Sequence, residues 1–225
     1  MATYELNKVS KEKAAQLCQE GLDYYTHWDI ERAIETFEKA TALDDQEADY
    51  FLYLAQAHVR LGDYEGMRKA LGRFMHLEEN PELTARFERL FGNAMDEIET
   101  LLTQVMTSQE VPLEVIGAAI QMWLEFRVAM GRKKIILNAT EIKSWAASLD
   151  YTIRKVNFHE VPAETLATWY QVSPTTVRSR YAALVETLDI MPCDYRYFRG
   201  VDNPLDKLVE AANMLEKLEE RFYKP

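Results

Sequence analysis

The side chains that most often perform catalysis or bind metals are scattered along this chain. The four histidines have no metal-ligand spacing, and the two cysteines, Cys18 and Cys193, lie in opposite halves of the sequence. No glycine-rich phosphate loop and no nucleophile elbow occurs. Carboxylate pairs such as Asp44-Asp45 fall at predicted helix ends, where solvated charge is usual. We therefore predict no catalytic site, no metal and no cofactor, and a protein that is not an enzyme.

A second group of polar residues has a more informative spacing. The stretch PAETLATWYQVSPTTVRSRYAALVETL, residues 162–188, predicts two helices separated by a short turn near Gln171. Ser173 is a favourable N-cap, and Pro174 presets the first turn of the second helix. The small Ala167 allows the two helices to cross closely. The apolar face of the second helix comprises Val177, Tyr181, Leu184 and Leu188.

This stretch resembles the helix-turn-helix of DNA-binding regulators, in the form Glu-x-Leu-Ala-x-x-x-x-Val-Ser-x-x-Thr-Val. Gln171 departs from that motif, which usually has glycine there, so the turn is expected to be made differently or under strain. Residues 145–190 also look like the last three helices of a cyclin-like repeat in archaeal transcription factor B, where a WAASLDY-like helix precedes the motif. The cyclin-like resemblance implies a five-helix bundle more than it implies promoter binding, and the helix-turn-helix resemblance implies DNA contacts from the start of the second motif helix.

Two sets of side chains are candidates for DNA contacts. Those expected to face the groove are Ser173, Thr175, Arg178 and Ser179. Those expected to neutralise phosphates are Arg180, Arg154, Lys155 and the run Arg132-Lys133-Lys134. Residues 127–199 hold 11 basic and 7 acidic side chains, which supports this hypothesis. The alternative is a plain packing unit, since Glu160, Glu164, Glu186 and Asp189 border the surface and a fold does not fix a function.

The first half of the chain repeats with a period of 34 residues, which pairs Gly21 with Ala55. A small residue at each position allows two helices to approach closely, and Gly62 marks a turn between helices. These features resemble the tetratricopeptide repeat over about residues 13–81. Met67 and His58 depart from the alanine and the aromatic residue that this family usually has.

The resemblance implies a small superhelix with a concave face that binds peptides. The residues expected on that face are Leu22, Tyr25, Leu52, Gln56 and Val59. They lack the Lys, Asn and Arg side chains with which the family's best-known site clamps a C-terminal carboxylate. Two interpretations remain: the chain's own later helices fill this groove, which we favour, or an apolar segment of a protein partner docks there.

The predicted architecture is all-α, in three parts. Residues 1–108 form the repeats and one long capping helix over about residues 83–105, and residues 109–192 form a bundle that contains the helix-turn-helix. Residues 193–225 form a loop and a final packing helix. The aromatic and basic loop is expected to anchor on the core, with stacking on single-stranded nucleic acid as the less favoured reading. The final helix packs on the protein or, alternatively, supports a homodimer.

Charge also divides the chain. Residues 1–110 carry 11 Lys and Arg against 22 Asp and Glu, whereas residues 111–225 carry 15 of each, which suggests different partners for the two halves. No stretch approaches the roughly 20 apolar residues of a membrane span, and the first residues are too polar for a signal peptide, so we expect a cytoplasmic protein without a membrane partner. The predicted function is interaction and regulation, with a protein partner for the repeats and DNA for the helix-turn-helix. The alternative is a chaperone-like adaptor that binds no DNA.

Overall fold

The structure, a computed structural model, describes residues 2–92, 95–159, 161–201 and 203–207, with positions 209, 212, 214 and 215. Every regular element within these residues is helical, which confirms the all-α prediction. The α-helices are α1 (Ala2–Thr26), α2 (Ile30–Leu43), α3 (Ala48–Leu61), α4 (Tyr64–Leu77), α5 (Pro81–Glu88), α6 (Glu97–Ser108), α7 (Leu113–Ala129), α8 (Ala139–Val156), α9 (Ala163–Tyr170) and α10 (Pro174–Leu188), and a 3₁₀ turn, Arg89–Phe91, follows α5. Within the described part of the chain, no helix combines the length and apolar character that crossing a membrane requires.

The chain divides into two compact units. The repeat unit comprises residues 1–94 and 124–135, and the bundle unit comprises residues 95–123 and 136–225. This division differs from the predicted boundary after residue 108. The reason is that α6 packs on α8 in the bundle unit, while residues 124–135 belong to the repeat unit.

The repeat unit contains two helical hairpins, α1–α2 and α3–α4, whose turns are equivalent by the 34-residue period. Trp28 and Gly62 both adopt a left-handed backbone, with φ of 64° and 78°. Each is followed by an N-cap aspartate, Asp29 or Asp63, that accepts a hydrogen bond from the amide three residues later. Aspartate suits this place because it satisfies an amide that the first helical turn leaves unpaired. The same turn therefore occurs twice, once with glycine and once with a tryptophan, for which this backbone is costly.

Close packing within the first hairpin depends on Gly21. A Cβ atom there would lie 2.6 Å from the ring of Phe37, which is fully buried. At the equivalent position of the second hairpin, Ala55 is itself fully buried. Gly72 of α4 is different, since no atom lies within 4 Å of the place where its Cβ would be. The two glycines thus have opposite roles, one in a helix contact and one on an open surface.

We expect Gly21→Ala and Gly72→Ala to change the free energy of unfolding in opposite directions. At Gly21 the methyl group must displace a buried ring, and such overpacking costs about 1–3 kcal/mol, against a gain of about 1 kcal/mol from the helix propensity of alanine. We expect a net loss. At Gly72 no clash opposes the gain in helix propensity, so we expect the free energy of unfolding to rise. Urea denaturation followed by circular dichroism measures both changes, and stabilisation by Gly21→Ala would contradict the close approach of α1 and α2.

The prediction of one long capping helix over residues 83–105 is wrong. α5 and its 3₁₀ turn end before a capping box that starts α6, in which Asp96 and Glu99 each accept a hydrogen bond from the other's amide, at 2.8 and 2.9 Å. Asp96 also accepts from the indole N–H of Trp123 at 2.8 Å. A capping box satisfies two amides that a helix start leaves unpaired, so a new helix begins here. The apolar periodicity continues across the break and conceals it.

The bundle unit is built around α8, which packs on α6, α9 and α10. Trp145 of α8 is buried, and its ring centroid lies 5.8 Å from that of Trp123. The hydroxyl of Ser148 donates to the carbonyl of Val177 at 3.2 Å and joins α8 to α10. Ala167 is buried where α9 meets α10, as its small size predicts. These contacts fix α9 and α10, the two helices of the predicted helix-turn-helix.

A buried polar network joins α8 to α9. Asp150 is fully buried and accepts hydrogen bonds from Nε of Arg154 at 2.6 Å and from the hydroxyl of Tyr170 at 3.0 Å. Burial raises the pKa of Asp150, while Arg154 and Tyr170 act in the opposite direction. Burial and the Asp150 charge raise the pKa of Tyr170 far above its usual value, so the phenol stays protonated and donates. Each of these side chains therefore provides a hydrogen-bond partner for another, and removing any one of them leaves a buried polar group unpaired.

The segment after α10 anchors on the bundle unit. Tyr197 is fully buried, and the side-chain amide of Asn203 donates to the carbonyl of Cys193 at 2.9 Å. This placement agrees with the anchoring loop favoured from the sequence. Residues 204–207 are helical, and the exposed Val209 and Leu215 follow. Other residues of the predicted apolar stripe, namely Leu208, Leu218 and Phe222, lie outside the described residues, so the packing of the final helix and the homodimer stay predictions.

Candidate functional site

The turn between α9 and α10 is formed without glycine. Gln171 adopts a left-handed backbone, with φ of 56° and ψ of 48°. That conformation costs about 1–2 kcal/mol for a residue that has a Cβ. The side-chain oxygen of Gln171 accepts a hydrogen bond from the ammonium group of Lys143 at 2.8 Å. The turn is therefore strained, and Lys143 of α8 stabilises it through this hydrogen bond.

The start of α10 is fixed by its cap and by its apolar face. The hydroxyl of Ser173 accepts a hydrogen bond from the amide of Thr176 at 3.0 Å, and Pro174 occupies the first helical position. Tyr181 is half-buried and packs edge-on against Tyr151, with ring centroids 5.2 Å apart. The fully buried side chains of the helix are Val177, Leu184 and Leu188. One side of α10 thus packs against the rest of the bundle unit, and the opposite side is exposed.

Four of the candidate DNA-binding residues are exposed on α10 or at its N-cap. Ser173, Thr175, Arg178 and Ser179 are all exposed, and we call them the α10 surface. Arg178 is ion-paired with Glu164 of α9, and both side chains are more than half exposed. Arg180 is ion-paired with Glu141 of α8 at 2.6 Å and lies over the ring of Trp145. Both arginines of α10 therefore already have carboxylate partners.

The remaining basic candidates separate into different places. Arg154 is buried in its network with Asp150, so we leave it out of the proposed DNA-binding set. Lys155 is exposed, and its ammonium group lies over the rings of Tyr151 and Tyr181. The run that begins at Arg132 belongs to the repeat unit rather than to the bundle unit.

The predicted concave face of the repeats is in contact with a later part of the same unit, which we call the groove segment, residues 128–134. The side-chain amide of Gln56 donates to the carbonyls of Val128 and Ala129, at 3.2 and 3.1 Å. Arg86 of α5 donates to the carbonyls of Gly131 and Lys133. The carbonyls of Val128 and Ala129 lie in the last turn of α7, where backbone acceptors lack partners within the helix, and those of Gly131 and Lys133 follow that turn. The groove thus recognises the end of a helix through its main chain.

Charge adds specificity to this contact. The guanidinium group of Arg132 lies 2.7 Å from a carboxylate oxygen of Asp49 and 2.5 Å from one of Glu78. Burial would raise the pKa of Glu78, but hydrogen bonds from Arg132 and from the amide of Asn80 hold that pKa below its usual range. Gly131 has φ of 53°, and a Cβ there would lie 2.8 Å from the Gln56 amide nitrogen. The groove therefore fits a glycine followed by an arginine.

The other predicted partner residues are placed differently along the repeats. Leu52 and Val59 are almost fully buried in the core, and Leu22 is half-buried against it. The ring of Tyr25 lies 3.9 Å from the guanidinium carbon of Arg60, which also lies 4.7 Å from the ring of Trp28. Gln56 and Leu52 are the members of the predicted set that the structure brings against the groove segment.

Sequence reasoning did not identify Arg86, Asp49 or Glu78 as groove residues. No short-range pattern connects them to the groove segment, because each contact joins residues far apart in the chain. No group of three or more His, Cys, Asp or Glu side chains within the described residues is arranged to hold a metal ion. Comparisons of the chain with protein-family models, with curated proteins and with solved structures found no match.

Proposed function

We propose that this chain is a regulatory interaction protein whose bundle unit contacts DNA through the α10 surface. The observation that carries the proposal is the exposure of Thr175, Arg178 and Ser179 on one side of α10, whose other side is buried, together with the exposed Ser173 at its N-cap. Hydroxyl groups and arginines near a helix start are the groups that reach base edges when a helix enters the major groove. Arg180 and Lys155 are the proposed phosphate contacts.

The ion pairs at this surface set the expected strength of the interaction. Arg178 and Arg180 must exchange Glu164 and Glu141 for phosphate or base acceptors. The two carboxylates also repel the DNA backbone, so we expect modest affinity, which decreases as the salt concentration rises. The same ion pairs favour the competing interpretation, in which α9 and α10 only pack and no DNA is bound.

A fluorescence anisotropy titration with mixed genomic DNA fragments, starting at 50 mM salt, separates the two interpretations. We expect Arg178→Ala to weaken binding about 5- to 150-fold, because a base or phosphate contact contributes roughly 1–3 kcal/mol. Glu164→Gln should strengthen binding, because it releases Arg178 and removes a repelling charge.

The matched control for these variants is Arg32→Ala, which removes an exposed, ion-paired arginine from the repeat unit. It should leave binding unchanged. No binding at 50 mM salt, or equal losses from Arg178→Ala and Arg32→Ala, would exclude the DNA-binding proposal and leave the packing interpretation.

The groove favours a second candidate function, the binding of a protein partner. Gln56 and Arg86 contact main-chain carbonyls, and Asp49 and Glu78 contact an arginine, so the groove has the chemistry to bind a helix end followed by a basic residue. We propose that a partner with this chemistry binds there by displacing the groove segment. Arg132→Ala, which removes both ion pairs of the groove segment, tests this displacement.

A further inference from the structure

The bundle unit has a cleft that the α10 surface does not use. Its volume is about 330 Å³, within the range of small-ligand sites. The residues whose chemistry matters are Glu114, Asn157, Phe158, His159, Phe198 and Arg199. They come from the start of α7, the end of α8 and the aromatic loop after α10. Two aromatic rings and three ionisable side chains therefore meet at one concave surface.

A buried asparagine fixes the walls of this cleft. The side-chain oxygen of Asn157 accepts a hydrogen bond from the amide of Arg199 at 2.7 Å. Its side-chain amide donates to the carbonyls of Ile153 and Tyr197, at 2.9 and 3.1 Å. Because Asn157 is itself buried, these bonds are protected from water. The end of α8 and the aromatic loop are thereby held in a fixed relation.

The rings lie on this fixed frame in an arrangement that costs stability. Phe158 has φ of 57°, a left-handed backbone that is unfavourable for a bulky residue, and yet 55% of its surface is exposed. Its ring meets that of Phe198 edge to face, with centroids 6.2 Å apart. A Cβ atom at Gly200 would lie 2.3 Å from the Phe198 ring, so glycine is needed beside it. The cleft therefore presents an exposed aromatic ring whose backbone is strained.

We infer that this cleft binds a nucleotide, with the base on Phe158 and Phe198 and the phosphate at Arg199. Aromatic side chains stack on any nucleobase, since every base has a π face. The guanidinium group of Arg199 is exposed and is oriented by bonds to the carbonyl of Phe198 and to Gln121, at 2.9 and 3.1 Å. An arginine oriented in this way suits a phosphate.

The remaining polar groups complement the two ends of a nucleotide. The carboxylate of Glu114 accepts hydrogen bonds from amino groups on a base edge, and the imidazole of His159 donates to phosphate oxygens. A free nucleoside monophosphate and a base of single-stranded nucleic acid share this chemistry. The inference stands apart from the proposed function, because DNA contacts through α10 do not require the cleft.

Isothermal titration calorimetry on the full chain tests the inference with AMP, GMP, CMP, adenosine and a ten-residue single-stranded oligonucleotide. We expect submillimolar binding of at least one nucleotide and about 10- to 100-fold weaker binding of adenosine, which lacks the phosphate. Tighter binding of the oligonucleotide than of the nucleotides would identify single-stranded nucleic acid as the ligand of the cleft. Equal or weaker binding of the oligonucleotide would identify a free nucleotide as the ligand. Failure of every phosphate-bearing probe at millimolar concentration overturns the inference.

Substitution of Phe158 distinguishes a ring that binds a ligand from a ring that only contributes to the fold. Phe158→Gly relieves the backbone strain, so we expect a melting temperature a few degrees higher together with the loss of nucleotide binding. Trp28→Gly is the matched control, since Trp28 is another exposed, left-handed aromatic residue but lies in the repeat unit. It should leave nucleotide binding unchanged. Unaltered binding in Phe158→Gly, or equal losses in both variants, would overturn the assignment of the cleft.

Discussion

Replacing Asp150 by alanine is expected to lower the free energy of unfolding of the bundle unit by about 3–5 kcal/mol. The substitution leaves the guanidinium group of Arg154 buried without its carboxylate and the hydroxyl of Tyr170 without its acceptor. Urea denaturation followed by tryptophan fluorescence measures this loss. Three of the four tryptophans, Trp123, Trp145 and Trp169, belong to the bundle unit, so the signal reports mainly on that unit.

Two further variants test the cause of that loss. Glu164→Ala breaks the ion pair with Arg178, which likewise joins a carboxylate to an arginine but at an exposed position, and should leave stability close to that of the unmodified chain. The double variant Asp150→Leu with Arg154→Met removes both charges and should recover part of the stability, because no charge is then left unpaired and only the Tyr170 hydroxyl lacks its acceptor. If Asp150→Ala were no worse than Glu164→Ala, the network would contribute nothing through its burial.

Replacing Arg132 by alanine is expected to release the groove segment. The change removes both ion pairs and leaves Glu78, whose side chain is 7% exposed, without its cation. Because Arg132 itself is half-exposed, we expect a cost of about 1–3 kcal/mol rather than that of a fully buried pair. In the unmodified chain the amides of Gly131 and Lys133 form hydrogen bonds within the groove segment. Amide hydrogen exchange at these two residues should therefore accelerate about 5- to 150-fold in Arg132→Ala.

The released groove should bind a labelled peptide with the sequence of residues 124–135. The same peptide with alanine in place of Arg132 should bind more weakly, since Asp49 and Glu78 then have no cation to pair with. Lys133→Ala is the control for the chain, because it truncates the exposed neighbouring side chain. Equal exchange rates in Arg132→Ala and Lys133→Ala, or no difference between the two peptides, would contradict the proposed groove recognition.

Local signals in the sequence were sufficient for the caps and for the repeat period. Ser173 and Pro174 start α10 as predicted, because capping depends on the residues of a single helical turn. The 34-residue period placed equivalent small residues at Gly21 and Ala55, and both are buried. Such features need no knowledge of distant contacts.

Long-range features were beyond the same reasoning. The apolar residues between Leu83 and Val105 keep one helical period, and this hid the capping box at Asp96 that divides them. The carboxylates that pair with Arg178 and Arg180 come from α9 and α8, and a pattern within α10 does not reveal them. Asp150 was missed although it stands four residues before Arg154, a spacing at which oppositely charged side chains meet on a helix.

The groove segment competes with any partner for the groove of the repeat unit. A ligand can bind only in the fraction of molecules whose groove is open, so its apparent dissociation constant is the intrinsic one divided by that fraction. If the segment is held by about 3 kcal/mol, roughly one molecule in 150 is open, and a micromolar ligand appears about 150-fold weaker. A loss of the Arg132 charge, by substitution or by covalent modification, would then raise affinity without any change in the binding surface.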